Sequence, residues 1–305
     1  MNSNRPAATT SPAGAVCAPL ATPMRYCTRC VLPDTRPGIT LDDDGVCTGC
    51  RNAERKRRDI DWAARRRQLE TIVADLRRRP HGYDCVIPVS GGKDSTWQVV
   101  KCLELGLRIL AVTWRTPGRT RLGQRNLDNL IRLGVDHIDY TINPEVERRF
   151  TYKTLARTGS SGVPMHMALY SIPLRIAVQM RIPLVVWGED PHLEYGRTDE
   201  AAGEQLDPDW GRRHGILQGT SAADWIDDDL SAKDLEPYFP PTAEQFAAAG
   251  VRSIFLGRYL PWDPQETLRV AREHGFQSRA AGPRIGLYDY ADIDCEFISV
   301  HHHFK

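Results

Sequence analysis

Residues 83–105 decide the fold: Tyr83-Asp84-Cys85-Val86-Ile87-Pro88-Val89, then Ser90-Gly91-Gly92-Lys93-Asp94-Ser95, then a run to Leu105 with helical periodicity. The first seven residues are a short apolar stretch bounded by turn signals, which fits a buried strand. Two adjacent glycines let the backbone come close to an anion, and Ser90, Ser95 and the free amides at the helix start can donate hydrogen bonds to it. Strand, SGGKDS and helix in that order form an anion cradle. The loop is neither GxxxxGK[ST] nor GxGxxG, so an ordinary P-loop NTPase and a dinucleotide-binding protein are both disfavoured.

Working outward, strands and helices alternate. Leu107 to Trp114 reads as a second strand, Leu122 to Leu133 as a helix, and Val135 to Ile142 as a third strand. Met165 to Arg181 looks helical, Ile182 to Gly188 looks like a buried strand, and Val251 to Gly257 followed by Pro264 to His274 repeats the order. This alternation predicts an α/β fold with a doubly wound, mostly parallel sheet over residues 83–305. Ligands of such sheets bind outside the carboxyl ends of the strands.

Upstream, Cys27-Thr28-Arg29-Cys30 and Cys47-Thr48-Gly49-Cys50 are separated by sixteen residues. Each pair fits a tight turn with two thiolates aimed at one centre, so residues 25–52 are expected to form a ribbon closed around Zn²⁺ by Cys27, Cys30, Cys47 and Cys50. Four protein ligands leave no open position, which makes the metal structural. Residues 1–24 lack the apolar stretch of ~7–15 residues that a secretory signal needs and read as a disordered tail. Between Arg51 and Arg79 there are eleven basic and five acidic side chains, with Trp62, Leu69, Ile72, Val73 and Leu76 at helical spacing. Residues 53–82 are therefore expected to be a basic connecting helix. A solvated face explains its charge better than an RNA site.

Forty Lys and Arg against thirty-nine Asp and Glu leave a net charge of +1, which disfavours a molecule built around nucleic-acid phosphates. The apolar run 182–187 is far shorter than the ~18 residues of a transmembrane helix, so no membrane insertion is expected. Eight clustered cysteines in 305 residues do not make a secreted disulfide scaffold, and a cytoplasmic location is expected.

SGGKDS after a first strand resembles the PP-loop ATP pyrophosphatase superfamily, whose fold is adenine nucleotide alpha hydrolase-like. The CxxC pairs, DCVIPVSGGKDSTWQV, LAVTW, NLDNLIRLGVDH, PLRIAVQMRIPLVVWGED with the nearby EYG, and FLGRYLPWD together resemble the N-acetyl sugar amidotransferase family of bacterial surface-polysaccharide synthesis, from Met24 onward. The resemblance implies an enzyme that uses ATP and Mg²⁺ to adenylylate the acetamido oxygen of a nucleotide-linked N-acetyl sugar, releasing pyrophosphate. Ammonia then displaces AMP and leaves an acetamidino group. Carried onto this chain, Ser90, Gly91, Gly92, Asp94 and Ser95 would cradle the phosphates, Lys93 would neutralise developing charge, and Asp94 would also face Mg²⁺. Thr113 and Trp114 would lie beside the adenine. His166, Arg175, Glu189 and Asp190 fall in the presumed substrate region, although Arg175 could equally be a structural ion pair and Asp190 a helix cap. A separate glutaminase, of the type paired with a cyclase-like subunit, is the implied source of ammonia, since no cysteine here sits in a nucleophile elbow.

Two departures from the family pattern stand out. Family members continue beyond the position of Val300 to Lys305, and Asp190 stands where an Asn is expected; both bear on the sugar site. The alternative activity is sulfur transfer to tRNA, a nucleoside or another carbonyl, for which Cys85, Cys102 and Cys295 are the available thiols. Cys85 and Cys102 lie on apolar spacing and read as buried hydrophobes. A non-catalytic binding module is disfavoured by the intact loop. His301, His302 and His303 read as surface residues, and Asp224 to Glu236, with six acids and one Lys, as a solvated loop.

Overall fold

A computed structural model of the chain describes residues 23–35, 39–79, 82–194, 211, 217–284 and 286–303. The N-terminal tail expected at 1–24 lies almost wholly outside them. The catalytic-size unit is a five-stranded, all-parallel sheet: β1 Cys85–Pro88, β2 Ile109–Trp114, β3 Asp136–Tyr140, β4 Leu184–Trp187 and β5 Arg252–Phe255, in the order β3-β2-β1-β4-β5. The doubly wound α/β architecture read from the sequence is what the chain adopts. Register runs Cys85 opposite Ile109, Leu110 opposite Asp136, Cys85 opposite Leu184, and Leu184 opposite Arg252.

Alternation along the strands feeds two cores. Cys85, Ile87, Ile109, Ala111, Leu184, Val186 and Ile254 point to one face. There they meet α2 (Trp62–Arg77), α3 (Lys93–Glu104), α4 (Arg121–Ile131) and α9 (Pro264–Glu273). Val86, Leu110, Val112, Trp114, Val185, Trp187 and Phe255 point to the other, against α5 (Pro144–Thr158), α6 (Gly162–Gln179) and α8 (Ala243–Ala248). A strand buried on both faces must be apolar throughout, which is why these segments read as continuous runs. The first crossover from β1 lies on one face and those around β4 on the other, so a crevice opens between the carboxyl ends of β1 and β4.

Four features depart from the sequence reading. The single basic connecting helix is two, α1 (Thr48–Arg58) and α2, because Asp61 caps a new start by accepting from the Ala64 amide at 2.9 Å. Helix α5 falls in a segment to which the sequence reading gave no element, and α6 begins at Gly162, three residues before the expected Met165. Asp224 to Glu236 is not merely solvated: Trp225, Leu230 and Leu235 are buried in the core, while Asp227 pairs with Lys153 at 2.5 Å and Asp229 with Arg149 at 3.2 Å. The histidine run lies in α10 (Glu296–His303), and His301 is buried rather than superficial. No helix among the described residues is long and apolar enough to cross a membrane.

Candidate active site

The phosphate-type loop occupies the crevice. Gly91 has φ +87° and Gly92 caps α3 in an extended conformation; the Gly91 amide donates to Ser95 Oγ at 3.2 Å and the Gly92 amide to Ser90 Oγ at 3.2 Å. Ser95 Oγ in turn donates to the Gly92 carbonyl at 3.1 Å. The serines thus stiffen a turn that presents the first amides of a twelve-residue helix to the crevice, where the helix dipole adds a fixed positive field.

The loop opens into a cavity of about 770 Å³. Ser90, Gly92, Lys93, Asp94 and Ser95 form one wall, with Thr113 and Trp114 at the end of β2. Lys93 is anchored, its Nζ 2.5 Å from Asp94 Oδ1, 3.4 Å from Thr267 Oγ1 and 5.9 Å from the Tyr290 ring centroid. The Asp94 side chain is about half exposed, and so remains accessible from the cavity. Thr113 Oγ1 donates to the Val89 carbonyl at 2.8 Å, so its 2.9 Å contact with His137 Nε2 requires that nitrogen to carry the proton. Burial lowers the His137 pKa, against the opposing pull of Asp139. The Thr113 hydroxyl is therefore committed to the fold.

Trp114 is committed likewise: its Nε1 donates to Glu147 Oε1 at 2.9 Å in the core. Burial pushes the Glu147 carboxyl up to about 7 despite that bond. Because its folded pKa lies above the unfolded value near 4.5, the protonated form stabilises the fold fully below about pH 4.5, and that contribution drains away as pH rises towards 7. Glu147→Gln keeps an acceptor for Trp114 without the charge. It is expected to unfold at higher denaturant than the parent at pH 8, by up to about 3 kcal/mol, with the gap closing near pH 4.5. Equal midpoints at both pH values would remove the buried carboxyl from the account.

Of the residues assigned to substrate, the structure brings two to the cavity. His166 and Glu189 line it. Arg175 does not; its guanidinium is 2.7 Å from Glu236 Oε1 and 3.2 Å from the Phe239 carbonyl, tying α6 to the acidic segment. Asp190 does not line the cavity and sits just before α7 (Pro191–Glu194): it is wholly buried, its carbonyl accepts from the Leu193 and Glu194 amides, and Oδ2 lies 3.7 Å from Arg258.

Apart from Cys295, the opposite wall was not read from the sequence. Tyr288, Tyr290, Asp292, Asp294 and Cys295 line the cavity, held by hydrogen bonds from Thr120 to the Ile293 and Asp294 carbonyls at 2.7 and 2.9 Å. Burial raises the Asp294 carboxyl even though Ser90 of the loop bonds to it. Arg119, also on this wall, holds Asp139 with two 2.7 Å contacts. The recurring acids of Asp289-Tyr290-Ala291-Asp292-Ile293-Asp294 were the signal in the sequence.

The four cysteines form a separate centre. Cys27, Cys30, Cys47 and Cys50 have sulfurs all within 4.8 Å, with Cys27–Cys50 at 3.9 Å and Cys30–Cys47 at 3.6 Å. A tetrahedral site with Zn–S bonds of about 2.3 Å has edges of about 3.8 Å, so the set fits Zn²⁺. Burial pushes the Cys27 thiol up, but the Cys30, Arg29 and Cys47 amides outweigh it and bring it down to about 6. Burial pushes the Cys30 and Cys50 thiols the other way, so the fit to a cation rests on the geometry of the four sulfurs.

No protein-family model matches the chain, and no curated protein matches it. Among solved structures it is similar to NMN synthetase from Francisella tularensis, with 16% identity, a TM-score of 0.38, and coverage of 79% of this chain and 87% of that one. It is also similar to an NH3-dependent NAD synthetase from Campylobacter jejuni, with 13% identity, a TM-score of 0.34, and coverage of 74% and 100%. A predicted subunit of tRNA methyltransferase from Methanocaldococcus jannaschii is similar at 14% identity and a TM-score of 0.34, covering 63% and 77%. At these scores the likenesses carry no functional weight.

Proposed function

We propose that the chain is an ATP-dependent, AMP- and pyrophosphate-forming amidotransferase that converts the acetamido group of a nucleotide-linked N-acetyl sugar into an acetamidino group. The observation that carries ATP use is the Ser90–Ser95 turn at the head of α3, opening into one cavity at the sheet's switch point. The sugar assignment is supported by the sequence resemblance from Met24 onward. His166 and Glu189 line the cavity at a position suited to the acceptor.

The chemistry follows from the poor leaving group of an amide. Its oxygen attacks the α-phosphorus of ATP, pyrophosphate departs from the turn, and the carbon then carries AMP as leaving group. Ammonia forms the C–N bond, the C–O bond to AMP breaks, and the oxygen leaves on the phosphate. The loop amides and Lys93 stabilise the charge that builds on the departing phosphates. Asp94, half exposed at the cavity, would face Mg²⁺, which when bound would neutralise phosphate charge. A separate glutaminase is proposed as the ammonia source.

The test is incubation with ATP, ammonium chloride and a panel of nucleoside-diphosphate N-acetyl sugars. AMP and pyrophosphate should form in equal amounts with one of them, and the sugar product should be lighter by the difference between an oxygen and an NH group. ATP turnover indifferent to every sugar would sink the reading. Sulfur transfer is the second reading, favoured by one observation: Cys295, although buried, lines the cavity, which Cys85 and Cys102 do not. Loss of all activity in Cys295→Ser, with a persulfide donor replacing ammonium in the wild type, would favour it instead.

A further inference from the structure

Histidine 166 projects into the cavity from the first turns of α6, with Nδ1 2.7 Å from the Gly162 carbonyl. A carbonyl oxygen can only accept, so Nδ1 carries the ring proton, and in the neutral imidazole Nε2 is the basic nitrogen. The ring is braced from α10. His301 packs edge-to-face against it with centroids 5.9 Å apart, and a side chain at position 162 would collide with the His301 ring. Gly162 therefore admits His301 beside the turn whose carbonyl fixes the His166 tautomer. Further along α10, His302 Nε2 lies 3.4 Å from Oδ2 of Asp292, which lines the same cavity. His301 and His302 thus pack behind two residues of the cavity wall.

We propose that His166 is the base of the second half-reaction, an inference that rests on the amidotransferase reading. Ammonium is the form of the nitrogen donor that prevails in neutral water, and it has no lone pair with which to attack. His166 Nε2 takes one proton from it. The freed lone pair forms the bond to the adenylylated carbon, AMP departs with the electron pair of the C–O bond, and the imidazolium returns its proton to solvent. An imidazole is the side chain whose chemistry lets it accept a proton near neutral pH and release it afterwards. The charged and titratable groups that set its field are His301 from α10, Glu189 at the end of β4, Asp94 and Lys93 of the loop, and Asp292, Asp294 and Arg119 of the far wall.

The experiment separates the two half-reactions. Sugar-dependent exchange of labelled pyrophosphate into ATP, without ammonium, reads adenylylation; amidine formation from ammonium chloride reads the second step. In His166→Gln the ratio of amidine formation to exchange should fall about 100-fold or more at neutral pH, the usual contribution of a general base. The deficit should shrink as pH rises and ammonium loses its proton unaided. A ratio unchanged by the substitution overturns the proposal, as does an equal fall in both steps, which is what a purely structural role would produce. His301→Gln, which loosens the brace, should lower the ratio less and leave the pH profile where it was. Wild-type protein that exchanges pyrophosphate with no sugar defeats the amidotransferase reading and this inference with it. Exchange in the wild type with an undiminished His166→Gln ratio defeats this inference alone.

Discussion

Gly91→Ala should unfold at markedly lower denaturant than the parent, with a loss of about 2–5 kcal/mol, while Gly92→Ala stays within about 1 kcal/mol. The two glycines are neighbours, yet they meet different constraints. Gly91 holds φ +87°, and a Cβ there would stand 2.5 Å from the Leu127 amide nitrogen and 2.8 Å from its Cα. Helix α4 cannot retreat: Leu127 and Leu130 are wholly buried, and Asn126 exchanges hydrogen bonds of 3.0 and 2.9 Å with the backbone of Gln277. The left-handed cost and the backbone collision add. At Gly92 the backbone is ordinary, and a Cβ would meet only Ser90 Oγ at 3.2 Å, a contact relieved by a shift of a few tenths of an ångström. The same turn aims the α3 amides at the cavity, so ATP affinity measured by calorimetry should fall about 100-fold or more in Gly91→Ala, equivalent to about 2.7 kcal/mol. Indistinguishable unfolding midpoints for the two variants would show that the turn is not as described.

The contrast shows which parts of the molecule were legible in its sequence. Strands buried on both faces announce themselves as apolar runs, and the turn of β1 into α3 is written by Ser90-Gly91-Gly92 because its constraints lie within a few residues. Helix α5 escaped because its inward stripe carries Glu147 and Thr154 alongside Val146 and Phe150, so polarity hid the period. The break between α1 and α2 was readable in Asp61, a cap residue, but the basic clusters on both sides of it suggested one helix. The far wall carries a local signal in its recurring acids, but its place opposite the loop does not: Thr120 bonds to Ile293 across 173 positions, and nothing local to either residue names the other. Arg175 illustrates the same limit, since a guanidinium suited to phosphate is equally suited to Glu236, and only the fold decides.

Chelating the metal, or replacing Cys47 with Ser, should melt residues 23–35 and 39–58 and leave the sheet folded. The cysteine module has almost no core of its own: Cys27, Ile39, Val46 and Cys47 are its buried apolar residues, two of them ligands, and they share no member with the clusters on either face of the sheet. Structural zinc sites contribute on the order of 10 kcal/mol, more than so small a cluster can replace. Cys47 also caps α1, its sulfur accepting from the Cys50 amide at 3.4 Å, so the helix loses its start when the centre opens. Amide exchange should therefore accelerate in these segments while β1, β2 and β4 keep their protection. The damage would still reach the cavity, through Lys56. Its Nζ lies 2.5 Å from Glu194 Oε1 and 2.9 Å from the carbonyl of Trp262, and Trp262 lines the cavity and packs edge-to-face on Trp97 of α3 at 5.0 Å. Lys56→Met isolates that link with the metal in place. It leaves Glu194, whose carboxyl burial raises, without its cation, at a cost of about 1–3 kcal/mol. Zinc content should stay at the parent level in this variant while turnover falls about tenfold, the weight of about 1.4 kcal/mol at the cavity wall. A single transition in which chelation unfolds sheet and module together would make the metal a keystone of the whole chain, and unaltered exchange after chelation would show that the four cysteines hold their ribbon without it.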